Sequence, residues 1–214
     1  QGVKMANKDL TVIASGGDGD GYAIGMGHTI HALRRNMNMT YIVMDNQIYG
    51  LTKGQTSPSS AKGFVTKSTP KGNIEKNVAP LELALSSGAT FVAQGFSSDI
   101  KALTKMIEDA IHHDGFSFVN VFSPCVTYNK VNTYDWFKEH LTSIDDIEGY
   151  DITDKQLAMK TVLDHESLVK GIVYQDTTTP SYESQISELE HEALAKRDIH
   201  ITEETFNDLT AQFL

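Results

Sequence analysis

A glycine turn between two short apolar runs constrains this chain most. Residues 10–14 (LTVIA) and 40–45 (TYIVMD) are apolar and partly β-branched, which is typical of buried strands. Residues 24–35 between them have the character of a helix, and the turn at residues 16–21 (GGDGDG) joins the first strand to it. This order predicts a βαβ unit, in which the backbone N–H groups at the start of the helix favour an anion.

The turn itself admits three interpretations. The dinucleotide-binding pattern GxGxxG is broken at its third glycine, where the chain has Tyr22, although the second strand does end in an acid, Asp45. An EF-hand loop is excluded because Gly21 comes too early and Thr29 stands where its glutamate belongs. The third is a plain tight turn with solvated aspartates. Two aspartates at the anion-binding end of a helix instead favour a divalent cation that bridges a carboxylate and a bound diphosphate.

The end of the second predicted strand supplies further metal ligands. Asn46 follows that strand directly, 28 residues after Asp18. The carboxyl ends of neighbouring parallel strands line one crevice, so the two side chains are expected to lie close together. Mg²⁺ takes six oxygen ligands, few of them from protein. A carboxylate from Asp18, an amide oxygen from Asn46 and one loop carbonyl meet that need, with diphosphate oxygens and water completing the shell.

Three strings carry a family resemblance. Residues 17–25 (GDGDGYAIG), 44–55 (MDNQIYGLTKGQ) and 123–129 (SPCVTYN) resemble the β subunit of 2-oxoacid:ferredoxin oxidoreductases, the 2-oxoglutarate branch in particular. The resemblance covers roughly residues 1 to 130. It implies a thiamine diphosphate-binding fold and oxidative decarboxylation of 2-oxoglutarate or pyruvate to acyl-CoA, with electrons passed to ferredoxin. It also implies an α subunit that supplies the glutamate activating the cofactor, so that this chain alone is inactive.

The resemblance assigns roles to individual residues. Magnesium ligands are Asp18, Asn46 and the backbone carbonyl of Ile48, and Lys53 binds the substrate carboxylate, against the plainer interpretation of a solvated loop lysine. His28 is expected near the diphosphate and His31 at the surface. The full set of cofactor-binding residues is Gly17, Asp18, Gly19, Asp20, His28, Asn46, Ile48, Tyr49, Gly50, Leu51 and Thr52.

Cys125 is the only cysteine, which excludes an intrachain disulfide. Considered alone, a cysteine after a strand is most often a small buried apolar residue. The resemblance implies instead one ligand of a [4Fe–4S] cluster, whose other cysteines belong to a region before Gln1. A cluster of this kind needs four ligands, so the printed chain cannot hold one by itself. The chain also starts without a methionine, and residues 1–7 have the character of the end of a helix, so we expect the sequence to lack its natural N-terminal part.

The rest of residues 1–128 continues the α/β pattern. Strands are predicted at 90–93 and 116–122, and helices at 81–87 and 100–113, the latter capped by Ser98 or Asp99. Together they predict a parallel sheet with helices on both faces and a thiamine diphosphate-binding domain over residues 1–128. The connection at 52–77 is too long for a simple loop and is expected to be a lid or a loop that contacts another subunit.

Residues 129–214 are predicted to form an acidic, mostly helical C-terminal extension. They hold 7 Lys and Arg against 18 Asp and Glu, whereas residues 1–128 hold 11 against 10. Helices are expected through Leu141 after a cap at Asn132, over 154–163 and 181–196 (with Ile186, Leu189 and Ala193 on one face), and after a cap at Thr202.

The charge and hydropathy patterns exclude several function classes. The chain has no basic face for nucleic acid, no apolar run of 18 residues to cross a membrane and no signal peptide, which favours a cytoplasmic protein. Two functional alternatives to an enzyme subunit stay open: a nucleotide-binding regulatory domain that uses the same crevice, and a non-enzymatic assembly subunit.

Overall fold

The computed structural model describes residues 1–189, 192–198 and 200–213, which contain one sheet of six strands. In chain order these are β1 (Ile13–Gly17), β2 (Met39–Asp45), β3 (Phe91–Phe96), β4 (Phe116–Phe122), β5 (Thr142–Ser143) and β6 (Val169–Gln175). Their order across the sheet is β1-β2-β4-β3-β6-β5. The first four of these neighbours are parallel, and β6 runs antiparallel to β3. The predicted parallel α/β sheet is thus confirmed.

The pairing register brings two chain segments to one edge of the sheet. Gly17 pairs with Met44, and Asp45 pairs with Phe122. The residues that follow β1 and β2 therefore leave the sheet at the same carboxyl edge. The predicted bounds of β1, residues 10–14, are wrong by three residues: pairing with β2 carries the strand on to Gly17, since a glycine that breaks local propensity can still pair in a parallel ladder.

The described ranges contain seven α-helices: α1 (Gly2–Ala6), α2 (Met26–Arg35), α3 (Pro80–Ser86), α4 (Ile100–His112), α5 (Tyr134–His140), α6 (Lys155–Asp164) and α7 (Glu203–Ala211). The last of these has no buried residue. Of the two predicted candidates for the cap of α4, Asp99 is the one used, and Thr202 caps α7 as predicted. The helix predicted over 154–163 begins after Asp154, whose side chain caps α6. The cap of α5 is Thr133 rather than the predicted Asn132. A π-helical turn, Asp20–Ile24, precedes α2.

Side chains alternate between the two faces of the sheet. On one face, Val92 and Phe118 pack against residues of α2, α3 and α6, including Leu33, Leu85 and Val162. On the other face, residues such as Phe91 and Val119 pack against Met106 and Ala110 of α4. This period of two is what buries the central strands on both sides and explains their nearly continuous apolar sequence.

The region after residue 128 contributes more than helices. It supplies α5, whose Phe137 packs on Phe96 and Phe122, and the strand β6, which no sequence pattern predicted. The helix predicted over 181–196 is wrong: short 3₁₀ turns, Glu183–Gln185, Ser187–Leu189 and Leu194–Lys196, replace it. The start of the segment is hydrogen-bonded to the loop after α2, where the N–H of Tyr182 donates to the carbonyl of Asn36. Residues 190 and 191, within that prediction, lie outside the described residues.

In the part of the chain that the structure describes, no helix has both the length and the apolar character needed to cross a membrane.

Candidate functional site

Two buried carboxylates mark the carboxyl edge of the sheet. Asp18 follows β1 and is 3% exposed, and Asp45 ends β2 and is 2% exposed. The hydroxyl of Ser59 lies between them, 2.5 Å from Asp18 Oδ2 and 2.8 Å from Asp45 Oδ1. The hydroxyl of Ser57 also donates to Asp18 Oδ2. A pair of acids is buried here because neutral donors are placed against them.

Burial, and then the charge of Asp18, raise the pKa of Asp45 to about 7, while hydrogen bonds from Ser59, Asn120 and Gln47 oppose the rise. The single hydroxyl hydrogen of Ser59 can be given to one carboxylate at a time. A proton on Asp45 would let it donate to Ser59 while Ser59 donates to Asp18. The arrangement therefore favours the protonated form of the Asp45 carboxyl group.

A buried polar chain supports Asp45 from behind. Asn120 Nδ2 lies 3.4 Å from Asp45 Oδ2 and donates to Gln94 Oε1 at 2.9 Å. Gln94 in turn donates to the carbonyl of Ser167, and the Tyr22 hydroxyl donates to Asn120 Oδ1 at 2.6 Å. Burial, then the charge of Asp45, holds the pKa of Tyr22 well above its usual value, so the phenol keeps its proton. This fully bonded network fixes the strand ends beneath the site.

The segment after Asp45 forms a tight loop. Asn46 Oδ1 accepts from the Ile48 N–H at 3.0 Å, which makes an Asx turn, and Gln47 adopts a left-handed φ of 59°. Tyr49 and Gln55 pair across the loop, leaving Gly50, Leu51, Thr52 and Lys53 at its tip. Leu51 is 99% exposed, although it is apolar. Lys53 is exposed and has a φ of 73°, a conformation that non-glycine residues seldom adopt.

The Tyr49 ring closes the loop over the glycine turn. A Cβ built on Gly19 would lie only 2.1 Å from Tyr49 Cε1, so the ring occupies the space that any side chain at position 19 would need. Gly19 itself has helical dihedrals, φ −64° and ψ −36°. A glycine is required at this position for close approach and not for backbone conformation.

The other residues predicted to meet the diphosphate have different surroundings. Asp20 Oδ2 accepts from the Gly17 N–H at 2.8 Å, closing the turn on itself. Asp20 and His28 line a groove of about 660 Å³ beside α2, and the described residues lining that groove do not include Asp18 or Asn46. His28 and His31 are both exposed.

Cys125 lies beside the tip of the loop, since a Cβ at Gly50 would be 3.9 Å from its sulfur. Burial raises the pKa of the Cys125 thiol, but the backbone N–H groups of Tyr128, Thr127 and Asn129 outweigh that effect and the pKa is lowered. Among the described residues, no group of three or more His, Cys, Asp or Glu side chains is arranged to hold a metal ion.

The structure adds residues that the motif spacing did not indicate. Ser57 and Ser59 lie in the long connection predicted to be a lid or contact loop, and Asn120 lies in a strand that was predicted only as packing. The one sequence feature that could have indicated Ser57 and Ser59 is the group of three serines within residues 57–60 (SPSS), in a loop that starts at the predicted metal site. A cleft of about 430 Å³ opens beside these residues, lined in part by Asp45, Ser59 and Trp136.

Two family profiles match this chain over adjoining ranges. The profile for "Thiamine pyrophosphate enzyme, C-terminal TPP binding domain" matches residues 1–121. The profile for the C-terminal part of the pyruvate ferredoxin oxidoreductase β chain matches residues 125–191. The first covers more than half of the chain and contains the glycine turn, Asn46 and Lys53.

Individual relatives agree with the profiles. A 2-oxoacid:ferredoxin oxidoreductase subunit beta from a Sulfolobus species is 42% identical over 195 residues, which cover 86% of this chain and 64% of that protein. The corresponding subunit of Saccharolobus solfataricus is 41% identical over 197 residues, 87% of this chain and 65% of that protein. The chain thus spans slightly less than two thirds of these relatives' length.

A solved structure shares the fold over nearly the whole chain. It is a 2-oxoglutarate:ferredoxin oxidoreductase from Magnetococcus marinus with 2-oxoglutarate, coenzyme A and succinyl-CoA bound, and it superposes with a TM-score of 0.86 at 36% identity. The match covers 97% of this chain and 70% of that one. Profiles, relatives and fold agree with the resemblance carried by the three sequence strings, and the chain belongs to the β-subunit family of the thiamine diphosphate-dependent 2-oxoacid:ferredoxin oxidoreductases.

Proposed function

We propose that the chain is the cofactor-binding half of an enzyme that oxidatively decarboxylates a 2-oxoacid, 2-oxoglutarate or pyruvate, to the acyl-CoA and passes the electrons to ferredoxin. The observation that carries the proposal is the buried Asp18 carboxylate at the ends of two parallel strands, next to the loop that holds Asn46 and Lys53. The ligands named for the Magnetococcus marinus structure support the choice of substrates.

The donor atoms of the site suit Mg²⁺. Asp18 Oδ1 accepts no hydrogen bond from the described residues, and Asn46 Oδ1 uses one lone pair for the Ile48 N–H and keeps the other. These oxygens and the Ile48 carbonyl are hard ligands of the kind Mg²⁺ prefers. Mg²⁺ is usually bound by one or two carboxylates together with substrate phosphates, and Asp18 would be the one carboxylate here.

Thiamine diphosphate, when bound, supplies the nucleophilic carbon and the electron sink that decarboxylation of a 2-oxoacid needs. This chain's residues would bind and orient it. The N–H groups of Gly19 and Asp20 and the start of the helix would favour the diphosphate, with His28 at the edge of that region. Gly17 would contribute by shaping the turn, because its own N–H donates to Asp20 Oδ2. Tyr49, Gly50, Leu51 and Thr52 would line the cofactor on the other side. Lys53 would hold the substrate carboxylate through a charge-assisted hydrogen bond.

Apolar side chains exposed around the same edge support a partner protein. Ile24 is 91% exposed, Leu51 99% and Val126 68%. We propose that they are covered by an α subunit, which also supplies the glutamate that activates the cofactor and completes the sites for CoA and the 2-oxoacid. The isolated chain should then show no 2-oxoacid oxidation, and turnover by it alone with a viologen acceptor would contradict this division.

A [4Fe–4S] cluster does not fit the residues of this chain taken alone. Such a cluster needs four thiolates, and the sequence contains a single cysteine, Cys125. Cys125 can contribute at most one ligand. We also propose residues 1–128 as the cofactor-binding domain and 129–214 as an acidic extension that packs on it, since β6 of the extension pairs with β3.

Calorimetric titration tests the proposal. The protein, together with any subunit that purifies with it, should bind thiamine diphosphate in a Mg²⁺-dependent manner. Asp18→Ala should abolish this binding because it removes the charged ligand, and Asn46→Ala should weaken it less because water can replace a neutral amide oxygen. Equal affinity in wild type and Asp18→Ala would refute the site. Binding of NAD or ATP in place of thiamine diphosphate would favour a regulatory nucleotide-binding domain. Activity retained when Asp18 and Asn46 are both changed to alanine would favour an assembly subunit.

A further inference from the structure

The turn at residues 57–60, Ser-Pro-Ser-Ser, is buried although three of its four side chains are polar. Ser57, Ser59 and Ser60 are 5%, 3% and 1% exposed. The turn is closed on itself, because the Ser57 N–H donates to Ser60 Oγ at 2.9 Å and the Ser60 N–H donates to the Ser57 carbonyl at 3.0 Å. Ser60 Oγ also donates to the carbonyl of Gln47 at 2.6 Å, which fixes the turn to the loop that follows Asn46. We call residues 57–60 the serine turn.

The two remaining hydroxyls of the serine turn converge on one atom. Ser57 Oγ and Ser59 Oγ both donate to Asp18 Oδ2, from positions 39 and 41 residues further along the chain. Hydrogen bonds to a charged acceptor are stronger and more directional than neutral ones. Two of them on Oδ2 hold the carboxylate in one rotation and leave Oδ1, which accepts no hydrogen bond from the described residues, to face a ligand.

The Ser59 hydroxyl also lies between the carboxylates of Asp18 and Asp45. Its oxygen lies within hydrogen-bond distance of both Asp18 and Asp45, and both carboxylates are almost fully buried. Without the hydroxyl, two acidic groups would face each other across a space with no donor, which is costly in a buried environment. The serine turn is therefore held against Asp18 and Asp45 by hydrogen bonds to their carboxylates as well as by packing.

We infer that the serine turn is a positioning element for metal–diphosphate binding: Ser57 and Ser59 orient Asp18 so that its free oxygen is presented to the cation, and binding at Asp18 in turn orders the loop that carries Lys53. The inference rests on the proposed function and adds two positioning residues to it. Because the same hydrogen bonds link Asp18 to the loop, occupancy of the site and order in residues 50–60 must be coupled reciprocally.

The test compares Ser57→Ala, Ser59→Ala and the double variant with Ser117→Ala. Ser117 is an apt control because it is also fully buried and donates one hydrogen bond, to the Ala110 carbonyl, away from the site. Each site variant should weaken Mg²⁺-dependent binding of thiamine diphosphate about tenfold, as expected for loss of one hydrogen bond to a charged group. The control should bind as wild type does. Ser57→Thr and Ser59→Thr, which keep the hydroxyl, should recover much of the loss.

A second measurement separates positioning from general stability. Hydrogen exchange of residues 50–60, followed with and without thiamine diphosphate and Mg²⁺, should show added protection on binding in wild type and in Ser117→Ala. That added protection should be absent or strongly reduced in Ser57→Ala and Ser59→Ala. Failure of wild type to bind would contradict the proposed function. Binding and protection in the serine variants equal to those of Ser117→Ala would overturn the inference and leave the proposed function standing.

Discussion

Gly19→Ala tests whether the loop after Asn46 must close on the glycine turn. The added methyl carbon would lie 2.1 Å from Tyr49 Cε1 and 2.8 Å from Tyr49 Cζ. The backbone of Gly19 is already helical, with φ −64° and ψ −36°, so alanine introduces no dihedral strain and should favour the turn slightly. The substitution is therefore a nearly pure steric change aimed at one ring.

The size of the effect follows from the distances. Side-chain contacts below 3.0 Å are essentially never found for a Cβ, so the Tyr49 ring has to move by at least about 0.9 Å. Tyr49 is tied at both ends, because its N–H donates to the Gln55 carbonyl at 2.9 Å and its own carbonyl accepts from Gly54 at 2.8 Å. The displacement is thus passed to the loop that carries Ile48 and Lys53. Misplacement of a binding group by about 1 Å costs up to about 100-fold, and we expect a 10- to 100-fold loss of thiamine diphosphate affinity.

The assay is calorimetric titration of thiamine diphosphate with Mg²⁺ present, alongside thermal melting. Gly27→Ala is the matched control, since nothing lies within 4 Å of a Cβ at that helical position. Gly27→Ala should melt at or slightly above the wild-type temperature, whereas Gly19→Ala should melt below Gly27→Ala because of the overlap with the Tyr49 ring. In the Gly19→Ala background, Tyr49→Ala should restore affinity relative to the single variant, because it removes the ring that the methyl group displaces. Gly19→Ala with the affinity of Gly27→Ala would refute the reasoning.

Three further predictions concern the substrate, the core and pH. In the assembled enzyme, Lys53→Ala and Lys53→Gly should each lower kcat/KM about 10- to 150-fold without changing cofactor affinity, because both remove the ammonium that binds the substrate carboxylate. The control Lys62→Ala, at an exposed position in the same connection, should change kcat/KM less than twofold. A comparison of pyruvate with 2-oxoglutarate then shows which carboxylate is bound. Phe137→Ala should lower the free energy of unfolding by about 3–5 kcal/mol in a urea titration, because the residue is 1% exposed and its ring centroid stacks 4.5 Å from that of Phe122. The control Phe206→Ala, at an exposed position, should change the free energy of unfolding by less than about 0.5 kcal/mol. Burial lowers the pKa of His113, although the charges of Asp114 and Asp176 oppose the shift, so the folded state favours the neutral ring. The neutral ring therefore stabilises the fold above the unfolded pKa of about 6.5, and this contribution should be lost as the pH falls below that value. His113→Gln should reduce the dependence of the unfolding free energy on pH in this range.

Local sequence was sufficient for the elements whose signals lie within a few residues. The predicted and observed bounds of β4, 116–122, are identical, because an apolar run bounded by Gly115 and Pro124 leaves little choice. The start of the helix at Asp154 could likewise be predicted from the sequence, because an N-cap side chain bonds to N–H groups only two and three residues away. The motif spacing of Asp18 and Asn46 likewise placed both at one edge of the sheet, because consecutive parallel strands share their direction.

Tertiary structure decided what depends on partners distant in the chain. The pairing of β1 with β2 extends β1 to Gly17, three residues beyond the predicted end. Residues 169–175, whose local pattern is ambiguous, form the strand β6 because they pair with β3. The described part of residues 181–196 forms short 3₁₀ turns in place of the predicted helix, and its start is bonded to distant residues: the Tyr182 N–H donates to the Asn36 carbonyl and the Asn38 N–H donates to the Glu183 carboxylate. The bonds from Ser57 and Ser59 to Asp18 span about 40 residues, and the bond from Tyr22 to Asn120 spans 98. No periodicity reports such contacts, because the groups meet only when the sheet has brought its strand ends together.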